Sequence, residues 1–131
     1  MITAESSQEN YLTQLSDGTV NIYSDTTQNK GGGGNALRPH DLLCAAYASC
    51  LNISVRMVLD KIGLKYDKVI TNVDVNREKE DSTIFMYHVE IIGDIDASTK
   101  ERVISKALNC PVRKTLSKNI SFQAQAYGNS I

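Results

Sequence analysis

Apolar and polar positions alternate in five stretches of the chain, and one long stretch between them has helical character. Residues 11–15 and 19–23 flank Ser16-Asp17-Gly18, which predicts a β-hairpin with an Asp-Gly turn. Residues 66–76 alternate through Val69, Thr71, Val73 and Val75. Residues 83–92 place Phe85, Tyr87, Val89 and Ile91 on one face, with a polar connection over 77–82. A last strand is expected with Ile120, Phe122, Ala124 and Ala126 on one face.

Pro39 starts a predicted helix that runs to about Ile62 and stops at Gly63. Its first half is apolar over most of the circumference, so it must lie in a core or against a partner. Ser98 or Thr99 is the expected cap of a short amphipathic helix ending near Leu108, and a further helix follows Cys110. The order ββ–α–ββ–αα–β reads as α+β, an antiparallel sheet packed on a long central helix. At 131 residues the chain makes one domain, 1–131.

A net charge of −1 gives no electrostatic footprint for nucleic acid or an anionic membrane. The first ten residues are polar and acidic, unlike a signal peptide, and no apolar run is expected to reach the ~20 residues of a bilayer span. Three cysteines without an export signal argue against a secreted disulfide framework and make a cytoplasmic location the expectation. Gly31–Gly34 lacks the Lys-Ser/Thr pair of a phosphate-binding loop and reads as a pliable linker.

Two cysteines stand in distinctive contexts. Cys50 lies inside the apolar helix, whereas Cys110 precedes Pro111 and is the expected N-cap of its helix. There the helix dipole and free N–H groups favour a thiolate. Cys44 lies about 120° from Cys50 around the helix and reads as a small buried residue. His40 and Cys44 are spaced i, i+4, but without a third ligand they make a weak zinc case. Tyr47, Ser54 and Met57 fall on the Cys50 side, where a pocket lining and core packing explain them equally well. His88 points to the outward strand face.

Arg38-Pro39-His40-Asp41-Leu42-Leu43-Cys44-Ala45-Ala46-Tyr47-Ala48-Ser49-Cys50 resembles the central cysteine helix of the OsmC/Ohr family, and Cys110-Pro111-Val112 resembles its second cysteine motif. Ser24-Asp25 followed by a Gly-rich connector is similar too. The resemblance implies an intertwined homodimer with two sites at the interface, reducing organic hydroperoxides with an external dithiol as reductant. It implies that Cys50 is the peroxidatic thiol and Cys110 the resolving one, and it implies no cofactor.

The best-studied hydroperoxide reductases of the family that this chain resembles place an arginine on an early strand, paired with a glutamate before the central helix. This chain has no arginine before Arg38; Asp41 occupies the acidic position and Arg38 is the nearby substitute. Physical reasoning alone places the thiolate at Cys110, so Cys50 needs a cation or donor nearby, with Arg56 and Arg113 as further candidates. The missing early arginine favours an alternative, an OsmC-fold protein that binds a small apolar or electrophilic ligand with little peroxidase activity.

Overall fold

Proline at the first helical position and glycine just past the last bracket the longest element of the computed structural model, which describes residues 1–126. This helix, α1, spans Pro39–Lys61. At its end Gly63 takes φ +74, and the Leu64 N–H reaches back to the Leu59 carbonyl at 3.0 Å. Tyr47, Leu51, Val55 and Leu59 recur every fourth residue and are all buried, so one stripe of α1 forms the core.

Against that stripe lies an antiparallel pair, β4 (Lys68–Asn76) and β5 (Ile84–Ile92). Its register sets Val69 opposite Ile91, Thr71 opposite Val89, Val73 opposite Tyr87 and Val75 opposite Phe85. These are the positions that the two-residue alternation assigned to one face. Polar stitches fix the helix on the pair: Asn52 Nδ2 donates to the Val69 carbonyl at 2.9 Å, and Thr71 Oγ1 to the Ala48 carbonyl at 2.8 Å. The core is completed by Val103 and Ala107 of α2 (Ala97–Ala107) and by Cys110, which precedes α3 (Pro111–Leu116).

A separate three-stranded sheet, in the order β1 (Thr3–Ser6), β2 (Thr13–Ser16) and β3 (Asn21–Ser24), holds the predicted hairpin as its last two strands. The Asp17 carboxylate accepts the N–H groups of Thr19 and Val20 at 2.9 and 2.8 Å, and Gly18 takes φ +100. β1 (Thr3–Ser6) adds an antiparallel edge that alternation does not reveal, because all four of its residues are exposed. The fold is α+β as expected.

Several expectations are corrected. Residues 121–126 form no strand. Phe122 is 97 % exposed and Ile120 58 %. A strand needs a neighbouring ladder, and the described part of this chain offers none there. The cap of α2 is Asp96, whose carboxylate accepts from the Thr99 N–H at 3.0 Å and its hydroxyl at 2.7 Å. By length and composition, α1 does reach what a bilayer span requires, with 23 residues that include an 18-residue stretch of mean hydropathy 1.6. Its apolar character serves the core on one face, while Leu43, Ile53 and Met57 stand exposed on others.

The glycine run is an ordered loop rather than a pliable linker. Ser24 bridges Leu37, and the Ser24 hydroxyl donates to the Leu37 carbonyl at 2.9 Å, so the segment between them is closed. Inside it, the buried Asp25 carboxylate accepts N–H groups from Thr26 (2.7 Å), Gly33 (3.2 Å) and Asn35 (3.4 Å). A Cβ on Gly32 would collide with the Thr26 carbonyl and approach Asp25 Oδ1 to 2.7 Å. Gly32→Ala should therefore cost about 1–3 kcal/mol, seen as a lower urea midpoint at unchanged slope; an unaltered midpoint would show that the loop yields freely.

Candidate active site

Sixty residues of sequence separate Cys50 from Cys110, and α3 folds back on α1 to bring them together. The two thiols lie close enough for Cys50 to perturb the ionisation of Cys110, and both are free. The backbone N–H of Val112, in the first turn of α3, donates to Cys50 Sγ at 3.4 Å. Cys50 is half-buried, whereas Cys110 is only 2 % exposed.

That difference reverses the electrostatic expectation for Cys110. Burial raises its thiol pKa above the ordinary value. The N–H groups of Arg113 and Val112 oppose the shift, and contact with Cys50 adds to it. Desolvation outweighs the short helix, because taking a thiolate out of water costs more than a few partial charges return. The donor that Cys50 lacked in the sequence is thus a backbone N–H carried in by the second cysteine's own helix.

Arg113 extends the cluster. Its Nη1 donates to the Tyr47 hydroxyl at 3.2 Å, and its guanidinium lies 5.6 Å from the centre of the Tyr87 ring. Tyr47 meets Phe85 and Tyr87 edge-on, with ring centres 6.2 and 6.0 Å away. Burial raises the Tyr47 pKa, with Arg113 opposing, and the two tyrosine hydroxyls hold the Arg113 guanidinium above its ordinary value. Tyr47 thus belongs both to the core and to the thiol neighbourhood, while Met57 is exposed on the surface.

Arg38 and Asp41 form a second, separate group at the start of α1. Arg38 Nε and Nη2 each approach one Asp41 oxygen at 3.1 Å, and Asp41 Oδ2 also accepts the Arg38 backbone N–H at 2.9 Å. These bonds hold Asp41 below the usual carboxylate range, with the guanidinium contributing most. Nine residues of helix, about 13 Å of axis, separate Asp41 from Cys50. Within one chain the two groups therefore stay apart. The Arg38–Asp41 pair borders instead a cavity of ≈ 560 Å³ that is also lined by Tyr11, Asp74 and Arg77.

Cys44 is half-buried and its pKa is raised, first by burial and then by the charges of Asp74 and Asp41. Among the described residues no three His, Cys, Asp or Glu side chains gather as a metal site. His40 and His88 are exposed.

A family model described as "OsmC-like protein" matches residues 31–125. The chain belongs to the OsmC-like family. It is 28 % identical over 99 residues to Peroxiredoxin OsmC of Escherichia coli K12, covering 71 % of this chain and 69 % of the relative. The OsmC-like protein of Mycoplasma pneumoniae superposes with a TM-score of 0.75 at 17 % identity, over 88 % of this chain and 85 % of that one. The organic hydroperoxide resistance protein OhrB of Bacillus subtilis gives 0.63 at 18 % identity, over 91 % and 90 %. At such identities the structures establish the OsmC fold alone.

Sequence reasoning named Arg113 only as a fallback cation. The signal that marks it is its place as the first cation after the Cys110-Pro111-Val112 motif.

Proposed function

We propose that this OsmC-like protein is a thiol peroxidase that reduces organic hydroperoxides, with Cys50 peroxidatic and Cys110 resolving. The observation that carries the reading is the contact between a half-buried thiol bearing a backbone donor and a second, fully buried thiol. A hydroperoxide reaches Cys50 more readily than Cys110, which supports that order of roles. The peroxiredoxin name of the Escherichia coli relative supports the reaction class.

Cys50 ionises and releases a proton. The thiolate sulfur forms a bond to one peroxide oxygen as the O–O bond breaks, giving a sulfenic acid, and the departing alkoxide takes up a proton to leave as the alcohol. The Cys110 sulfur then bonds to the Cys50 sulfur, and the sulfenic oxygen leaves as water. An external dithiol reduces the disulfide and is itself oxidised. A reducing cytoplasm suits that last step.

The same reading includes a homodimer in which Arg38 and Asp41 of one protomer serve the Cys50 of the other. Two features support it: the pair lies about 13 Å from its own Cys50, and apolar Leu43, Ile53, Ile120 and Phe122 are exposed. Light scattering at micromolar concentration should give a dimer. A monomer of full thermal stability would refute the assembly.

The deciding assay follows alkyl hydroperoxide consumption with a dithiol reductant, in wild type and Cys50→Ser. Consumption by wild type alone supports the peroxidase. Wild-type protein that consumes none would point to a ligand-binding OsmC fold.

A further inference from the structure

This chain has no arginine before Arg38, yet the short helix whose Val112 N–H meets Cys50 carries a cation at its next residue, Arg113. We propose that Arg113, held by the Tyr47 hydroxyl and the Tyr87 ring, is a positioning residue that supplies positive charge at Cys50 from within the same chain. The inference deepens the peroxidase reading and rests on it for its catalytic consequence.

Three placements converge on this role. Arg113 directly follows Val112, whose N–H sits on Cys50 Sγ. Its guanidinium is fixed at 3.2 Å from the Tyr47 hydroxyl. Tyr47 stands three residues before Cys50 on α1, a spacing that puts Cβ atoms about 5–6 Å apart on one helix face. Arg113 is therefore anchored at both ends: its backbone through the α3 turn that meets Cys50, and its head group through Tyr47.

Its charge is also uncommitted. Among the described residues the ion pair is Arg38–Asp41, and no carboxylate lies within 4.0 Å of Arg113. The partners that hold it are two neutral tyrosines, Tyr47 through its hydroxyl and Tyr87 through its hydroxyl and ring. Such partners orient a guanidinium without neutralising it, so its field stays available to an anion formed nearby. During the reaction two anions arise there in turn, the Cys50 thiolate and the departing alkoxide. A fixed cation in a half-buried site favours both with no change in its own protonation.

The test compares two alkylating agents on Cys50 in a Cys44→Ser, Cys110→Ser background, without any hydroperoxide. Iodoacetate is an anion and iodoacetamide is neutral, so the ratio of their rates reports local charge beyond thiol ionisation. Arg113→Gln should lower the ratio about two- to fivefold, the scale of one unit charge about 4–8 Å away in water. Arg113→Lys should restore much of it. Arg56→Gln, which makes the same change of net charge elsewhere on α1, should leave it unaltered. An unchanged ratio in Arg113→Gln, or an equal fall in Arg56→Gln, overturns the proposal.

Should the Gln variant fail to fold, raising salt on the parent background decides instead. Screening must lower the ratio, and a salt-independent ratio overturns the proposal. Because no peroxide is involved, failure of the charge assignment is distinguishable from failure of the peroxidase reading.

Discussion

Adding about one equivalent of an alkyl hydroperoxide should consume both thiols of the pair and link Cys50 to Cys110, as peptide mass spectrometry would show. The expectation follows from the contact of the two sulfurs in the reduced protein: a sulfenic acid formed on Cys50 has its resolving thiol already beside it. Cys50→Ser should lower turnover by at least about a thousandfold, the scale of losing a nucleophile. Cys110→Ser should still react once, then stall as a sulfenic acid open to overoxidation. Burial keeps Cys110 protonated near neutral pH, so the resolving step should accelerate as pH rises above neutrality and its thiolate fraction grows. A Cys50–Cys44 link, or overoxidation of wild type without any disulfide, would sink the two-cysteine mechanism.

Arg38→Ala should lower peroxide consumption by about 10- to 1000-fold, the range for removing one charge-stabilising group. Co-expression with Cys50→Ser should then restore activity. The reason is geometric. About 13 Å of helix separates Asp41 from the Cys50 of its own chain, so in the proposed homodimer the Arg38–Asp41 pair would serve the thiol of the second protomer. A mixed dimer then holds one complete site, built from the intact cysteines of one chain and the intact arginine of the other. Co-expressed variants that dimerise and stay inactive would show that Arg38 does not act across the interface. An Arg38→Ala protein of full activity would leave it the role seen directly in the structure, capping α1 through Asp41.

Elements defined by neighbours in sequence were legible without coordinates. Pro39 and Gly63 bound α1 because one fixes φ and the other accepts a positive φ, and both constraints are local. β4 and β5 show in the alternation because one face of each packs on the helix. β1 escaped notice for the converse reason: Thr3–Ser6 is exposed throughout, so burial leaves no imprint on its sequence. The segment from Ile120 does alternate, yet it finds no ladder in the described chain, since alternation records a face to be covered and not what covers it.

By itself the sequence determined the α+β class, the helix that carries Cys50, the cap position of Cys110 and the likeness to the OsmC family. Each depends on residue type at short spacing. Only the tertiary structure decided that the two sulfurs meet, that burial outweighs the helix dipole at Cys110, and that the Val112 N–H lands on Cys50. It also decided that Asp25 gathers the glycine loop, and that Arg113 is held by the Tyr47 hydroxyl while Arg38 pairs with Asp41 at the start of α1. These depend on closing loops of ten to sixty residues and on which groups lose their water when the loops close, and neither is written in the spacing of neighbours.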